Sequence, residues 1–236
     1  MSKTMNTDSP VLFYTDLSTL AWDEDATLPR LSPARREIVL RRPPKERPAA
    51  AYAELLLHYA ARECGYPSFA ETEIVWQGKP YFAKERAPFS FNLSHAGNTV
   101  AVLLCPAGTN SGTECPHLCG MDCEELRPLR NMDAIARKMF TEEEHAWLDT
   151  QNDRIRAFFR LWTAKEAFIK YTGEGFSRPL ATVLTDFYAR CATASDSGVS
   201  CRIYHFETEN AVLCAALDAD TDRPPVFCTV PANRIP

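Results

Sequence analysis

The chain has 236 residues, of which 45% are hydrophobic and 24% charged, values typical of a globular protein long enough to bury a core. Its 26 Lys and Arg against 31 Asp and Glu leave a formal charge of −5, which argues against a general nucleic-acid-binding protein, since neutralising phosphates needs a basic surface. Apolar runs such as Val100 to Cys105 are far shorter than the roughly 20 residues that cross a bilayer, and Met1 to Pro10 lacks a signal-peptide pattern, so we expect a cytoplasmic protein without a membrane partner.

The first predicted element is a helix from Pro33 to about Arg41, with Ser32 as its N-cap. A second helix is predicted from Ala49 to Cys64, ended by Gly65. Runs of β-branched and aromatic residues separated by turn residues then predict short strands. These are Glu73–Trp76, Tyr81–Phe82, Phe91–Ser94 and Thr99–Cys105.

A small and polar stretch from Pro106 to Pro116 is a candidate linker, and it predicts two halves, residues 1–112 and 113–236. The second half also mixes helices with strands, so we expect an α+β fold. The elements predicted there are a strand at Leu118–Glu125, helices near Met132–Met139, Glu142–Leu148 and Asp153–Tyr171, and strands at Leu180–Leu184, Arg202–Phe206, Ala211–Leu217 and Val226–Val230.

The predicted strand after the linker carries two carboxylates on one face, Asp122 and Glu124, because side chains alternate along a strand. One interpretation is a solvated strand face. The other is a site for a hard cation, since Mg²⁺ prefers carboxylate oxygens together with substrate phosphates. The same alternation turns Cys119 and Cys123 to the opposite face as core residues.

The nine cysteines are expected to be reduced thiols, as is usual in a cytoplasmic protein. A Cys-rich metal-binding protein centred on Cys115, Cys119 and Cys123 is an alternative. It is disfavoured because three residues separate successive cysteines, where zinc sites typically have two, and because Cys119 and Cys123 are expected to face the core.

The long predicted helix places Trp162, Glu166 and Lys170 on one face, at i, i+4 and i+8. A Glu–Lys pair with this spacing is usually a surface stabiliser. Next to Asp122 and Glu124 it would instead complete a pocket for a metal ion and phosphate.

The first half offers Ser94 and His95 at a strand end, Lys79 on a turn, and a basic segment that includes Arg47. Each has a structural explanation as well as a functional one, since a lone histidine is more often structural and a basic segment is often a solvated helix face. The functional interpretation of the basic segment is anion binding.

Three motifs occur in order: Phe91-Asn-Leu-Ser-His95, Gly120-Met-Asp-Cys-Glu124 and Trp162-Thr-Ala-Lys-Glu-Ala-Phe-Ile-Lys170. Together with Gly78-Lys79-Pro80, this set resembles the signatures of Sfp-type 4′-phosphopantetheinyl transferases. The resemblance implies two similar α+β halves in a pseudo-twofold arrangement, with the active site in the cleft between them. It also implies Mg²⁺-dependent transfer of 4′-phosphopantetheine from coenzyme A to a serine of an apo acyl, peptidyl or aryl carrier protein, with release of 3′,5′-ADP, by a monomer.

By this resemblance, Mg²⁺ would be held by Asp122, Glu124 and Glu166, and the catalytic residues would be Glu166, Lys170 and Asp122, with Glu166 taking the serine proton. The residues expected to bind coenzyme A are Lys79, Pro80, Ser94, His95, Arg47, Lys165 and Lys170. Arg47 departs from the family pattern, because Pro48 follows it where the family commonly has Ser or Thr.

Glu144 has two explanations that the sequence leaves open. It aligns with a further acidic position of the family, and it also completes a capping box with Thr141. For the whole protein, the alternative to an enzyme is a non-catalytic module of the same fold that binds coenzyme A or a carrier protein.

Overall fold

The computed structural model describes residues 9–66, 74–76, 80–82, 89–106, 119–221 and 223–235. The chain forms two compact units, the first made of Met1–His117 with Pro225–Pro236 and the second of Leu118–Pro224.

The first unit contains a mixed sheet and a long helix that packs on it. Its helices are α1 (Glu24–Thr27), α2 (Pro33–Leu40) and α3 (Arg47–Glu63). Its strands are β1 (Val11–Asp16), β2 (Ile74–Val75), β3 (Tyr81–Phe82), β4 (Phe89–Ala96), β5 (Thr99–Pro106) and β11 (Val226–Thr229).

Local signals explain the helices of this unit. The Ser32 side chain accepts a hydrogen bond from the backbone N–H of Arg35 and starts α2. Beyond the end of α3, Gly65 takes a positive φ of 88°. The alanine- and leucine-rich face of α3 packs on β5 and β4 and forms the core of the unit.

The four-stranded sheet has the order β11-β1-β5-β4, in which β1 pairs with β5 antiparallel and with β11 parallel. The last strand of the chain therefore completes the sheet of the first unit. This corrects the predicted domain division, because residues 225–236 belong to the first unit and not to the C-terminal half. The predicted boundary at 112/113 lies outside the described residues.

The second unit is a five-stranded antiparallel sheet with the order β6-β10-β9-β8-β7, covered by a long helix. Its helices are α4 (Met132–Met139), α5 (Glu142–Asp149) and α6 (Arg154–Thr172). Its strands are β6 (Cys119–Glu125), β7 (Val183–Asp186), β8 (Cys191–Ala194), β9 (Ser200–Glu207) and β10 (Ala211–Asp218).

Helix α6 packs across β6 and β10 and buries most of its length. Asp153 caps its N-terminus by accepting from the backbone N–H of Arg156, and Gly173 ends it in the left-handed conformation. Two apolar clusters lie along this helix, one towards β7–β10 and one towards α4 and α5.

The structure confirms the predicted α+β character and the predicted long helices, with boundaries shifted by one or two residues. Among the described α-helices and strands, the predictions did not include β1, α1 and β8. The predicted linker and the turn at Gln77–Lys79 lie outside the described residues, apart from Pro106. Within the described part of the chain, no helix is both long enough and apolar enough to cross a membrane.

Candidate active site

Strand β6 places Asp122 and Glu124 on the face that α6 covers. Asp122 is only 6% exposed, so the strand face is not the solvated one that the first interpretation assumed. The predicted orientation of the opposite face is confirmed, since Cys119, Met121 and Cys123 are all buried. No disulfide joins the cysteines that the structure describes, and Cys115 is not among them.

Gly120 allows α6 to approach β6 unusually closely. A Cβ atom built on Gly120 would lie 2.1 Å from the carbonyl oxygen of Ala167 and 2.3 Å from the backbone nitrogen of Tyr171. No side chain fits there, because both neighbours are backbone atoms of the helix. This contact places the last two turns of α6, with Glu166 and Lys170, against the carboxylates of β6.

Lys170 pairs directly with Asp122. Its Nζ lies 2.7 Å from Asp122 Oδ1, and the lysine side chain is 28% exposed against 9% for the aspartate. Burial alone would lower the pKa of Lys170, but the Asp122 carboxylate outweighs burial and raises that pKa above its usual value. Lys170 is therefore a protonated ammonium group that Asp122 fixes at the edge of the site.

Glu124 pairs with an arginine that sequence reasoning missed. Arg127 Nη1 donates to Glu124 Oε2 at 2.7 Å. Burial raises the pKa of Glu124, and the hydrogen bond from Arg127 lowers it by a smaller amount. The pKa of Glu124 is therefore above its ordinary value. The i, i+3 spacing of Glu124 and Arg127 did not predict this ion pair. The strand ends at Glu125, so the alternation of side chains along β6 says nothing about the direction of Arg127.

Glu166 is 8% exposed, and its environment disfavours the charged form. Burial and then the Asp122 carboxylate raise its pKa to about 7, helped by Glu124 and opposed by Lys170. Repulsion of this kind requires neighbouring charges, so the structure brings together the four residues that the motifs select: Asp122, Glu124, Glu166 and Lys170.

The donor set of this site fits a magnesium ion chemically, since three carboxylates supply the hard oxygen ligands that Mg²⁺ prefers. As the side chains stand, however, no group of three His, Cys, Asp or Glu residues in the described chain is arranged to hold a metal. Lys170 and Arg127 account for part of this, because each already occupies an oxygen of a predicted ligand.

Lys165, the neighbour of Glu166, points elsewhere and is fully buried. Its Nζ donates to Glu144 Oε2 at 2.7 Å, to the Leu180 carbonyl at 3.1 Å and to the Val183 carbonyl. This corrects the prediction that Lys165 binds coenzyme A, because its ammonium group is enclosed and its three donors are used within the fold.

Glu144 has a complete structural role. The capping box with Thr141 is present in both directions, which confirms that explanation. Glu144 Oε1 also accepts from the Thr185 side-chain hydroxyl at 2.7 Å and from its backbone N–H at 3.2 Å. Glu144 therefore joins α5, α6 and β7 in one buried polar cluster with Lys165.

The residues of the first unit that were predicted to bind coenzyme A lie at several places along its chain. Ser94, which is buried, and the half-buried His95 are adjacent near the end of β4. Pro80 directly precedes β3, and Lys79 lies outside the described residues. Arg47 begins α3, where its guanidinium binds both oxygens of Glu24, at 2.9 and 3.0 Å, and the carbonyls of Arg42 and Leu40.

Comparison with known proteins finds a family match in the second unit. Residues 118–222 match the sequence model of the family described as the 4′-phosphopantetheinyl transferase superfamily. The 4′-phosphopantetheinyl transferase AcpT of Salmonella typhimurium is 39% identical over 105 residues, which cover 43% of this chain and 50% of the relative.

Two further relatives carry the same activity in their names. The 4′-phosphopantetheinyl transferase psf-1 of Bacillus pumilus is 35% identical over 148 residues, 62% of this chain and 55% of the relative. The 4′-phosphopantetheinyl transferase HetI of Nostoc is 34% identical over 118 residues, 48% of this chain and 45% of the relative. The chain spans about half the length of the curated relatives it matches. The second unit is therefore similar to the 4′-phosphopantetheinyl transferase superfamily, the family that the motifs resemble.

Proposed function

We propose that this protein transfers the 4′-phosphopantetheine group of coenzyme A to a serine of an apo acyl, peptidyl or aryl carrier protein, as a holo-carrier synthase. The observation that carries the proposal is the convergence of Asp122, Glu124, Glu166 and Lys170 on β6 and α6, within the segment that matches the family. Phosphoryl-type transfer depends mainly on positioning and on neutralising charge, and this set of side chains suits both.

In the proposed reaction the serine oxygen attacks the phosphorus that carries pantetheine, and the bond from that phosphorus to the bridging oxygen breaks. The products are the phosphodiester of the holo carrier and 3′,5′-ADP. Asp122, Glu124 and Glu166 would hold Mg²⁺, which when bound neutralises the pyrophosphate oxygens. Lys170 would stabilise the charge that develops on the leaving group, for which its raised pKa keeps it protonated.

Glu166 is the proposed acceptor of the serine proton. In the metal-free site its pKa is raised to about 7, which makes Glu166 a stronger base there than an ordinary glutamate. The burial that produces this pKa also keeps the carboxyl in one place on α6.

For the first unit we propose that Lys79, Pro80, Ser94 and His95 contact the nucleotide, on the strength of the motif resemblance. We also propose that the two units are similar halves of one fold. Both follow the element order strand, three helices and four strands, and in both the first strand pairs antiparallel with the last of those four strands.

The test is to incubate the protein with coenzyme A, Mg²⁺ and a panel of apo carrier proteins and to record carrier masses. A mass gain of one phosphopantetheine group on at least one carrier is expected. Binding of coenzyme A without any mass gain would favour the non-catalytic module instead, and a folded sample that modifies no carrier would contradict the proposal.

Variants test the assignment of residues. Asp122→Ala and Glu166→Ala should reduce transfer by roughly 100-fold or more, because each removes a group that acts on the charged pyrophosphate or the serine proton. Glu209→Ala is the matched control, since Glu209 is an exposed acid in the turn between β9 and β10. Equal rates for Asp122→Ala and the control would overturn the site.

A further inference from the structure

The predicted magnesium ligands of β6 are already paired with protein cations. Asp122 Oδ1 accepts from Lys170 Nζ and Glu124 Oε2 accepts from Arg127 Nη1, both at 2.7 Å. A divalent cation that uses both carboxylates must compete with both side chains. Lys170 is part of the helix motif and has a role at the pyrophosphate in the proposed reaction, whereas Arg127 belongs to none of the motifs.

Arg127 is placed so that it can leave Glu124 without losing its other contacts. Its Nη1 also donates to the backbone carbonyl of Glu125 at 3.0 Å, and its guanidinium lies 5.2 Å from the centre of the Phe159 ring. Its side chain is 48% exposed, against 16% for Glu124. Ion pairs with one exposed partner are weak, so a divalent cation can displace this one.

We propose that Arg127 is a positioning residue that holds Glu124 in the metal-free protein and must release it when a divalent cation binds. The inference rests on the proposed function, because it assumes that Glu124 is a metal ligand. The contacts to Glu125 and Phe159 keep the released guanidinium beside the site, so that closing and opening the pair needs only a movement of the Glu124 side chain. Arg127 therefore sets the metal concentration at which the site fills.

The test measures metal binding directly, with Mn²⁺ as the probe. The readout is the loss of the electron paramagnetic resonance signal of free Mn²⁺ as the protein binds it. Arg127→Gln removes the competing cation, so we expect its dissociation constant for Mn²⁺ to be roughly two- to five-fold lower than that of the wild type. Arg127→Lys keeps a cation in reach of Glu124 and should bind Mn²⁺ almost as the wild type does. A merely structural role of Arg127 would weaken metal binding in Arg127→Gln instead.

The matched control is Arg130→Gln, which makes the same change of charge at an exposed arginine three residues further along the segment. It reports the general electrostatic effect, so the proposal requires a larger effect from Arg127→Gln than from Arg130→Gln. Equal effects, or weaker binding in Arg127→Gln, would overturn the role of Arg127. A wild type that takes up no Mn²⁺ would overturn it too, and the carrier mass assay would then decide separately whether the proposed transfer occurs.

Discussion

Glu166 is a residue whose protonation links the site to the stability of the whole fold. Native Glu166 has a pKa of about 7, whereas an unfolded glutamate has its ordinary value of 4.5. Between these values the native state binds more protons than the unfolded state, so the stability contribution of Glu166 is fully present below about pH 4.5 and is lost as the pH rises through 7. The difference corresponds to about 3 kcal/mol, since one pH unit is worth about 1.4 kcal/mol.

We therefore predict that Glu166→Gln stabilises the metal-free protein at pH 8. Glutamine has the shape of the protonated acid and never ionises, so the free energy of unfolding in EDTA should rise by up to about 3 kcal/mol at pH 8 and should be unchanged near pH 4.5. Urea denaturation at a series of pH values measures this.

Glu209→Gln serves as the control for Glu166→Gln, because that exposed side chain should change stability little at any pH. A Glu166→Gln protein that is less stable than the wild type at pH 8 would show that the site does not repel the charge of Glu166. Loss of phosphopantetheine transfer in Glu166→Gln would show that the ionisable carboxyl, although it destabilises the fold at pH 8, is needed for function.

Lys165 and Glu166 show what the motif could not predict. The two residues are adjacent in sequence, but successive residues of a helix point about 100° apart. One side chain therefore enters the site while the other enters the cluster with Glu144. The spacing of Glu166 and Lys170 was sufficient to predict that these two share a face, whereas the burial of Lys165 depends on Leu180 and Val183, which follow the helix in sequence.

At the scale of elements, the site depends on the contact between α6 and β6 at Gly120. We predict that Gly120→Ala lowers the free energy of unfolding by at least about 3 kcal/mol and abolishes transfer, because the added methyl group must displace the backbone of α6 at Ala167 and Tyr171. Denaturation and the carrier mass assay measure the two effects.

Gly198→Ala is the matched control for Gly120→Ala. It adds the same methyl group in open space but at a positive φ of 70°, so it should cost about 1 kcal/mol and leave transfer unchanged. Equal stabilities of the two variants would mean that α6 can move away from β6 at little cost.

The elements that could be predicted from sequence are those with local signals, such as the caps Ser32, Asp153 and Gly173. Strand β1 was missed because it has no alternation: Val11 to Tyr14 are all buried, and a short apolar run does not distinguish strand from helix. Strand β8 was missed because Cys191–Ala194 contains mostly small residues with weak strand preference, and its place in the sheet comes from pairing with β7 and β9.

At the scale of the whole molecule, the C-terminal segment of the chain returns to the first unit. Val11 to Tyr14 pair with Val226 to Thr229, more than 200 residues away, as the register shows. A strand at Val226–Val230 was predicted, but its partner was not, because no local pattern specifies pairing over such a separation. The second unit is thus inserted between two parts of the first in sequence.

The returning segment should stabilise the first unit through buried residues that follow β11. Val230 is 4% exposed, lies in the core of that unit, and donates its backbone N–H to the Tyr14 carbonyl. We predict that Val230→Ala costs about 2 kcal/mol of stability, through lost burial and the cavity left behind. Val226→Ala makes the same change on the same segment at a residue that is 42% exposed, and it should cost no more than about 0.5 kcal/mol.

Hydrogen exchange locates the effect of Val230→Ala. Because Val230 packs within the core of the first unit, its loss should speed exchange in β1 and β5 first, and this acceleration should be absent in Val226→Ala. Acceleration that begins in α6 and β6 instead would mean that the C-terminal segment stabilises the second unit. Unchanged exchange in β1 would mean that the segment is dispensable, and the first unit would then hold its sheet together through β4 and β5 alone.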